Sequence, residues 1–295
     1  MKFVMKICFV CVLNLVALPA LAGGLGLPTK NAGLGFGNLT RFSGIRFNFS
    51  DREVEKVSGL NFTLFIPDKD NAATYTGIMM NLVGQRAKSS TGLVISGIGL
   101  GDGRINGVAL GGLGIGAADL NGIGIAGLGL GANNINGLAV GGLGLGADDM
   151  TGLFVGGLGI GANDITGLAV GGLGVGANNI SGIVIAGLGV GGNDLTGIFI
   201  GGLGVGGDNL TGGFVGGAVK GDQIQGAALS LGYLKSDFLQ GLGTGAYTRS
   251  QATTGVTIGV FNSTENLHGV QIGLLNYAGN NPSGLKWLPG INAHF

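Results

Sequence analysis

Charge, cysteine and aromatic side chains are all scarce in this chain. Only 10% of its 295 residues are charged, and the 15 basic residues balance the 15 acidic ones. Without a basic excess, the chain lacks the electrostatic footprint of a nucleic-acid-binding protein. Disordered chains are poor in aliphatic residues and rich in charge. This chain is 45% hydrophobic, so we expect its many glycines to belong to a folded protein.

The two cysteines, Cys8 and Cys11, both lie in an apolar stretch at the N-terminus. That stretch follows a positively charged start and ends in small residues at Ala20 and Ala22, which is typical of a signal peptide. We therefore expect residues 1–22 to be cleaved. The exported chain would then have no disulfide, no thiolate nucleophile and no cysteine metal site.

Residues that carry chemistry are equally few. The two histidines, His268 and His294, stand neither in metal-ligand spacing nor beside paired carboxylates. The many Gly-x-Gly strings belong to a repeat, and none leads into a helix of the kind that binds nucleotides. We therefore expect a non-enzymatic protein with no catalytic residues, no cofactor-binding residues, no metal ligands and no small-molecule substrate.

Glycine, by contrast, is abundant, with 68 residues. Units of closely similar sequence follow one another at intervals of about fifteen residues. The segments 151–165, 166–180 and 181–195 are three such copies. Sixteen anchor glycines open the units: Gly44, Gly59, Gly77, Gly92, Gly107, Gly122, Gly137, Gly152, Gly167, Gly182, Gly197, Gly212, Gly226, Gly241, Gly255 and Gly269.

Within each unit, the large apolar residues follow the alternation of β-strands. In the unit from Asn121 to Ile135 they recur at steps of two, three, two and five. The step of three falls on Ala126-Gly127, where a corner would return both strands to one inward face. A second corner is expected at Asn133-Asn134, because Asn favours turns. We predict that five residues point into the core: Ile123, Ile125, Leu128, Leu130 and Ile135.

The unit predicts an all-β fold, a β-solenoid with coils of about fifteen residues. The alternative is an outer-membrane β-barrel with roughly sixteen strands. Two observations favour the barrel. Phe295 is C-terminal, and Ile45 and Phe47 alternate with Arg46 and Asn48 as they would in a two-faced strand.

Composition divides the chain into five segments. Residues 1–22 are the signal peptide, 23–42 a lead segment, 43–105 divergent repeats, 106–225 regular repeats, and 226–295 divergent repeats with a cap. The charged residues concentrate in the divergent segments, and residues 106–219 contain no Lys or Arg. Since each coil buries its faces only against its neighbours, we interpret the divergent segments as capped ends.

The C-terminal third resembles a known pattern. The segments 255–262 (GVTIGVFN) and 269–276 (GVQIGLLN), with the tail 287–295 (WLPGINAHF), resemble the Gly-x-Gln-x-Gly-Leu-x-Asn units and C-terminus of uncharacterised bacterial surface-repeat proteins of the leptospiral type. The resemblance covers most of the chain beyond residue 22. It implies a cell-surface or outer-membrane location in a Gram-negative bacterium, and it implies no catalytic residue.

Two polar columns recur at fixed repeat positions. One is an Asn/Asp pair near the second corner, for which we expect a hydrogen-bonded ladder, with Ca²⁺ binding as the alternative. It comprises Asn133, Asn134, Asp148, Asp149, Asn163, Asp164, Asn178, Asn179, Asn193, Asp194, Asp208 and Asn209. The other precedes the anchor glycine: Asn106, Asn121, Asn136, Thr151, Thr166, Ser181, Thr196 and Thr211. A Thr array of the second kind is used by ice-binding solenoids, usually as paired columns.

One repeat position predicts a contact surface. With Leu153 and Val155 facing inward, the alternation puts Phe154, Phe199 and Phe214 outside. Exposed apolar patches usually mark a protein or membrane contact. We therefore predict self-association, or contact with a membrane or surface, through these phenylalanines. The predicted function is a structural or adhesive surface protein, with a barrel acting as pore or anchor as the alternative.

Overall fold

The structure, a computed structural model, describes residues 24–66 and 72–295. The predicted signal peptide, residues 1–22, lies outside the described residues. Within the described ranges every regular element is a β-strand, so the predicted all-β class is confirmed. The chain divides into two compact units, the first ending at Gly124 and the second beginning at Ile125.

The first unit holds the strands that precede Gly124. They are β1 (Leu25–Thr29), β2 (Ala32–Phe36), β3 (Arg41–Ser50), β4 (Lys56–Phe65), β5 (Thr74–Asn81), β6 (Gly84–Ser96), β7 (Gly99–Gly111) and most of β8 (Gly114–Ala126). The second unit holds β9 (Gly129–Gly141), β10 (Gly144–Gly156), β11 (Gly159–Gly171), β12 (Gly174–Ala186), β13 (Gly189–Gly191), β14 (Asp194–Ala278) and β15 (Trp287–His294).

The strands of the second unit from β9 to β14 pair in parallel with an offset of one repeat, whereas β15 pairs antiparallel with β14. Between β10 and β11, Gly152 lies beside Gly167 and Leu153 beside Leu168. A parallel ladder between successive fifteen-residue segments is the pairing of solenoid coils, so the predicted β-solenoid is confirmed. A membrane barrel is built of antiparallel neighbours, so the barrel alternative is wrong.

The first unit follows the same pattern. Gly44 pairs with Gly59, and Gly59 with Gly77, in parallel ladders. Strand β2 also pairs in parallel with β3, and it places Gly33 beside Gly44. Parallel stacking therefore starts inside the lead segment, 23–42, ahead of the first predicted repeat.

In each unit the anchor glycines form a column whose backbone conformation glycine alone accepts readily. All sixteen have a positive φ, between 113° and 145°, a region that side chains with a Cβ avoid. In the second unit, a Cβ on Gly167 would also lie 2.1 Å from the carbonyl oxygen of Gly152. The period of the sequence is therefore the period of this column.

In each central coil of the second unit, four residues point inward. In the coil of Gly152 these are Met150, Phe154, Gly156 and Ile160, all of which are buried. The chain bends at Gly157 and its neighbour, which is the first predicted corner. The second change of direction needs no break in the strand, since two successive residues simply face outward near the Asn/Asp pair.

The inward and outward positions differ from those predicted. Leu130 and Ile135 are buried as expected. However, Ile125 is 42% exposed, Leu128 is 47% exposed, and Ile123 is exposed as well. The prediction that all five side chains enter the core is therefore wrong for these three.

The narrow interior explains the difference. A Cβ on Gly156 would lie 2.3 Å from the carbonyl oxygen of Gly159 and 2.8 Å from Cγ1 of Ile160. In the regular coils the position four residues after the anchor is therefore Gly or Ala, and the residues on either side of Phe154 point outward. Apolar residues commonly contribute to protein surfaces, so hydrophobicity alone does not place a residue inside.

Candidate interaction surface

The three phenylalanines predicted to form an exposed contact face are core residues. Phe154, Phe199 and Phe214 are each 0% exposed. The rings of Phe199 and Phe214 stack in neighbouring coils, with centroids 5.5 Å apart. A contact face made of these side chains is therefore wrong, because the position two residues after the anchor glycine points into the coil.

The residues on either side of that position point outward instead. They form two rows on the second unit, one and three residues after each anchor glycine, and every member is exposed or half-buried. We call these two rows the aliphatic face. The first row is Leu138, Leu153, Leu168, Ile183 and Ile198, and the second is Ile125, Val140, Val155, Val170, Ile185, Ile200 and Val215.

The aliphatic face is regular because the pairing is in register. Leu153 lies beside Leu168, and Val155 beside Val170. Adjacent strands of a sheet are ~4.8 Å apart, so each row repeats a branched side chain at that spacing. The sequences of the coils indicate which side chains point inward, since the residue four positions after the anchor glycine is Gly or Ala in every regular coil.

A third row of leucines follows at the corner, six residues after each anchor. Its members are all exposed: Leu128, Leu143, Leu158, Leu173, Leu188 and Leu203. Large contiguous apolar patches on a protein surface usually mark a contact site. The combined rows are therefore the strongest candidate for a contact surface in the second unit.

Polar residues border the aliphatic face, and basic residues are missing from it. The row that precedes the anchors, Thr151, Thr166, Ser181, Thr196 and Thr211, is exposed. Residues 125–219 contain five Asp and no Lys or Arg. The aspartates belong to the Asn/Asp column, outside the aliphatic face.

The Asn/Asp column forms the hydrogen bonds of a ladder. Asn179 Nδ2 donates to Asp164 Oδ1 at 2.6 Å, and Asn209 Nδ2 donates to Asp194 Oδ1 at 2.6 Å. Each bond joins one coil to the next, as expected for a hydrogen-bonded ladder. Among the described residues, no group of three or more His, Cys, Asp or Glu side chains is placed to hold a metal ion.

The two histidines occupy separate places. His268 is exposed on β14. His294 Nδ1 lies 2.7 Å from Asn281 Oδ1, and Asn281 Nδ2 donates to Asn292 Oδ1 at 2.7 Å. His294 therefore ties β15 to the turn before it.

Sequence reasoning missed a buried ionic cluster in the first unit. Arg46 is 0% exposed. Its guanidinium donates to Asp51 and, at 2.8 Å, to Asn61 Oδ1. The Tyr75 hydroxyl donates to the same Asp51 carboxylate. Alternation within β3 placed Arg46 on the face opposite to Ile45 and Phe47. In this coil it is the charged residue that points inward.

A second buried carboxylate lies further along the first unit. Asp102 accepts hydrogen bonds from the Ser90 hydroxyl and, at 3.0 Å, from Gln85 Nε2. Burial raises the pKa of the Asp102 carboxyl to about 6, although these hydrogen bonds act in the opposite direction. Its neighbours are interior side chains, so the cluster is a polar core and not an open site.

The interior becomes polar again near the C-terminus of the second unit. Thr248 Oγ1 donates to Asn262 Oδ1 at 2.6 Å, and Asn262 Nδ2 donates to Asn276 Oδ1 at 2.7 Å. These residues take the inward position that Ile160 holds in a central coil. Because each amide bonds to the next coil, they form a buried ladder of their own.

Stacked rings lie on the outer surface of the same coils. Tyr233 stacks on Tyr247 at 5.6 Å, and Tyr247 stacks on Phe261 at 5.1 Å, with nearly parallel planes. The ring faces are covered by one another, so the stack presents mainly ring edges. It joins coils, and it does not offer a flat platform to a ligand.

No helix in the part of the chain that the structure describes is long and apolar enough to cross a membrane. Comparisons of the chain with protein-family models, with curated proteins and with solved structures found no match.

Proposed function

We propose that this chain is an exported, non-enzymatic surface protein whose repeats have a structural or adhesive role. The observation that carries the proposal is the aliphatic face, two uninterrupted rows of exposed or half-buried branched side chains on the second unit. A solitary chain in water gains nothing from such rows. Complete removal of an exposed aliphatic side chain from water is worth ~1.5–3 kcal/mol, and each half-exposed member of the rows would contribute a part of that value.

The proposed location rests on the chain ends. The start of the sequence has the charge, apolar run and small residues of a signal peptide. The segments 255–262 and 269–276 and the C-terminal tail resemble those of bacterial surface-repeat proteins. Both features support export to the surface or outer membrane of a Gram-negative bacterium.

The use of the polar side chains supports a non-enzymatic role. Arg46 and Asp51 neutralise each other in the interior, and Asn262 is bonded within its own ladder. A catalytic group must reach its substrate. These groups instead hold successive coils in register.

Surface retention tests the proposal. The full chain with a C-terminal epitope is expressed in a Gram-negative host, and intact cells are treated with protease. We expect the chain in the outer-membrane or surface fraction, and accessible to the protease. A triple variant of the aliphatic face, Leu153→Thr, Leu168→Thr and Ile183→Thr, should be released into the medium.

The matched control changes three exposed side chains of the Asn/Asp column, Asn163→Ser, Asn178→Ser and Asn193→Ser. It should be retained like the unaltered chain. A chain that stays in the cytoplasm, or equal retention of both variants, contradicts the proposed function.

A further inference from the structure

We propose that the aliphatic face binds the aliphatic face of a second copy of this chain, giving a face-to-face homodimer. The inference rests on the proposed function, since both use the same surface. It adds the identity of the partner, which the proposed function leaves open.

The spacing of the rows favours a second copy. Leu153 and Leu168 in the first row, like Val155 and Val170 in the second, are register partners in adjacent strands. Each row therefore repeats at the ~4.8 Å spacing of a sheet, and a groove runs between the two rows. A row of partner side chains fits along that groove coil by coil only if it has the same period, and a second copy has it. Two such faces pack ~10 Å apart with interdigitated side chains.

The extent of the surface also suits a dimer. A standard interface involves about 20–30 residues from each partner. The two rows contain twelve side chains, and the corner leucines with the bordering Thr and Ser residues add eleven. Homodimer interfaces are more apolar than other protein contacts, which matches an aliphatic centre with a polar border.

Charge argues against a lipid surface as the occupant. Elements that lie on membranes combine basic residues with interfacial aromatic side chains. The segment 125–219 contains five Asp and no basic residue, and the aliphatic face contains no aromatic residue. An anionic bilayer would repel these coils, whereas a dimer leaves the aspartates in water.

Solution mass is the first test. By light scattering after gel filtration, the unaltered full chain should have twice the mass of one chain. In the triple variant Leu153→Thr, Leu168→Thr and Ile183→Thr, the dissociation constant of the dimer should rise about tenfold or more. Each change removes apolar contact area and therefore lowers the affinity. The control Asn163→Ser, Asn178→Ser and Asn193→Ser should remain dimeric.

Cross-linking is the second test, and it does not depend on the triple variant folding. In a chain with Cys8→Ser and Cys11→Ser, a cysteine is placed at Leu168, in the middle of the first row, or at Asn178, outside the face. In a symmetric contact the central residue lies nearest its own copy. Leu168→Cys should form disulfide-linked dimers, and Asn178→Cys should not.

Four outcomes would overturn the inference. They are a monomeric unaltered chain, a triple variant that dimerises as before, equal cross-linking at both cysteines, and a chain that is monomeric but binds phosphatidylcholine–phosphatidylglycerol vesicles through these rows. A dimer that is absent from the cell surface contradicts only the proposed function. A monomer retained at the surface contradicts only the dimer.

Discussion

A Cβ atom on Gly152 would lie 2.0 Å from the carbonyl oxygen of Gly137, the anchor of the preceding coil. The φ of Gly152 is 134°, which disfavours any other residue. Close approach and backbone conformation thus require glycine at the same position, and this is why the repeat is most constant at its anchor.

Replacement of Gly152 by Ala should therefore lower the free energy of unfolding by about 2–4 kcal/mol, through backbone strain and overpacking. Gly161 is a matched control, since a Cβ there meets nothing within 4 Å. Gly161→Ala should be neutral or slightly stabilising, because alanine restricts the unfolded chain. Urea unfolding of the two variants measures the difference, and equal losses would contradict the glycine column.

Phe199 and Phe238 allow one substitution to be compared inside and outside the coil. Phe199 is fully buried, whereas Phe238 is 61% exposed. Phe199→Ala should cost about 3–5 kcal/mol of stability by leaving a cavity. Phe238→Ala should cost less than about 1 kcal/mol. Thermal and urea unfolding report both values, and a mild effect at Phe199 would mean that the ring does not fill the core.

Two arginine ion pairs of the first unit, those of Arg46 and Arg41, differ in burial. Arg46→Met leaves the Asp51 carboxylate buried without its cation, and we expect a loss of about 3–5 kcal/mol. Arg41 pairs with Glu55 at the surface, so Arg41→Met should change stability by less than about 1 kcal/mol. If chemical unfolding gave similar values for both, Arg46 would have to be accessible to water.

Asp102 should make stability depend on pH. The pKa of Asp102 is about 6 in the folded chain, above the ordinary aspartate value of 3.8, so the folded state binds an extra proton between these two pH values. The contribution of Asp102 is therefore most favourable below about pH 4, and it is lost as the pH rises through about 6. At neutral pH the buried charge costs on the order of 3 kcal/mol.

Asp102→Asn removes the charge and keeps the shape. The variant should be more stable than the unaltered chain at pH 7, and this advantage should shrink towards pH 4. Unfolding curves from pH 4 to 7 measure it, with Asp222→Asn, a change at an exposed aspartate, as the control. An advantage that is the same at all pH values would show that Asp102 does not titrate in this range.

The solenoid was predictable because one physical requirement recurs at a fixed interval. Each anchor glycine has a positive φ. Because other residues do not readily adopt this conformation, glycine recurs at the same interval as the coils, and the repeat is visible in the sequence. The corner at Gly157 was predictable for a related reason, since consecutive glycines interrupt the alternation of the strand.

Hydrophobicity did not show which alternate side chains of the strand between two corners point inward. Since Leu153, Phe154 and Val155 are all apolar, an apolar side chain is buried whichever set faces the core. The inward position is set by Gly156, which lies beside the corner, where a Cβ would meet Gly159 and Ile160. The Gly or Ala at this position in every regular coil reflects the constraint, but its physical reason is the close packing at the corner.

Buried polar residues were missed for a different reason. Arg46 and Asp102 carry charge, and charged residues are rarely buried without partners. Their partners, among them Asn61 for Arg46 and Ser90 for Asp102, come from the next or preceding coil. Sequence gave no reason to match these residues with one another before the stacking of the coils was known.

The in-register stacking makes the central coils interchangeable. Segment 181–195 pairs with its neighbours through the same positions as segment 166–180, and it has the same anchor and outward rows. Deleting or duplicating one fifteen-residue segment would therefore join coils that already fit. The coils with Arg46 or Asn262 in their interior are not interchangeable, because each of these side chains bonds to a particular residue of a neighbouring coil. Recombination between repeats would thus alter the array in whole coils, and each coil gained would lengthen the aliphatic face by one side chain in each row.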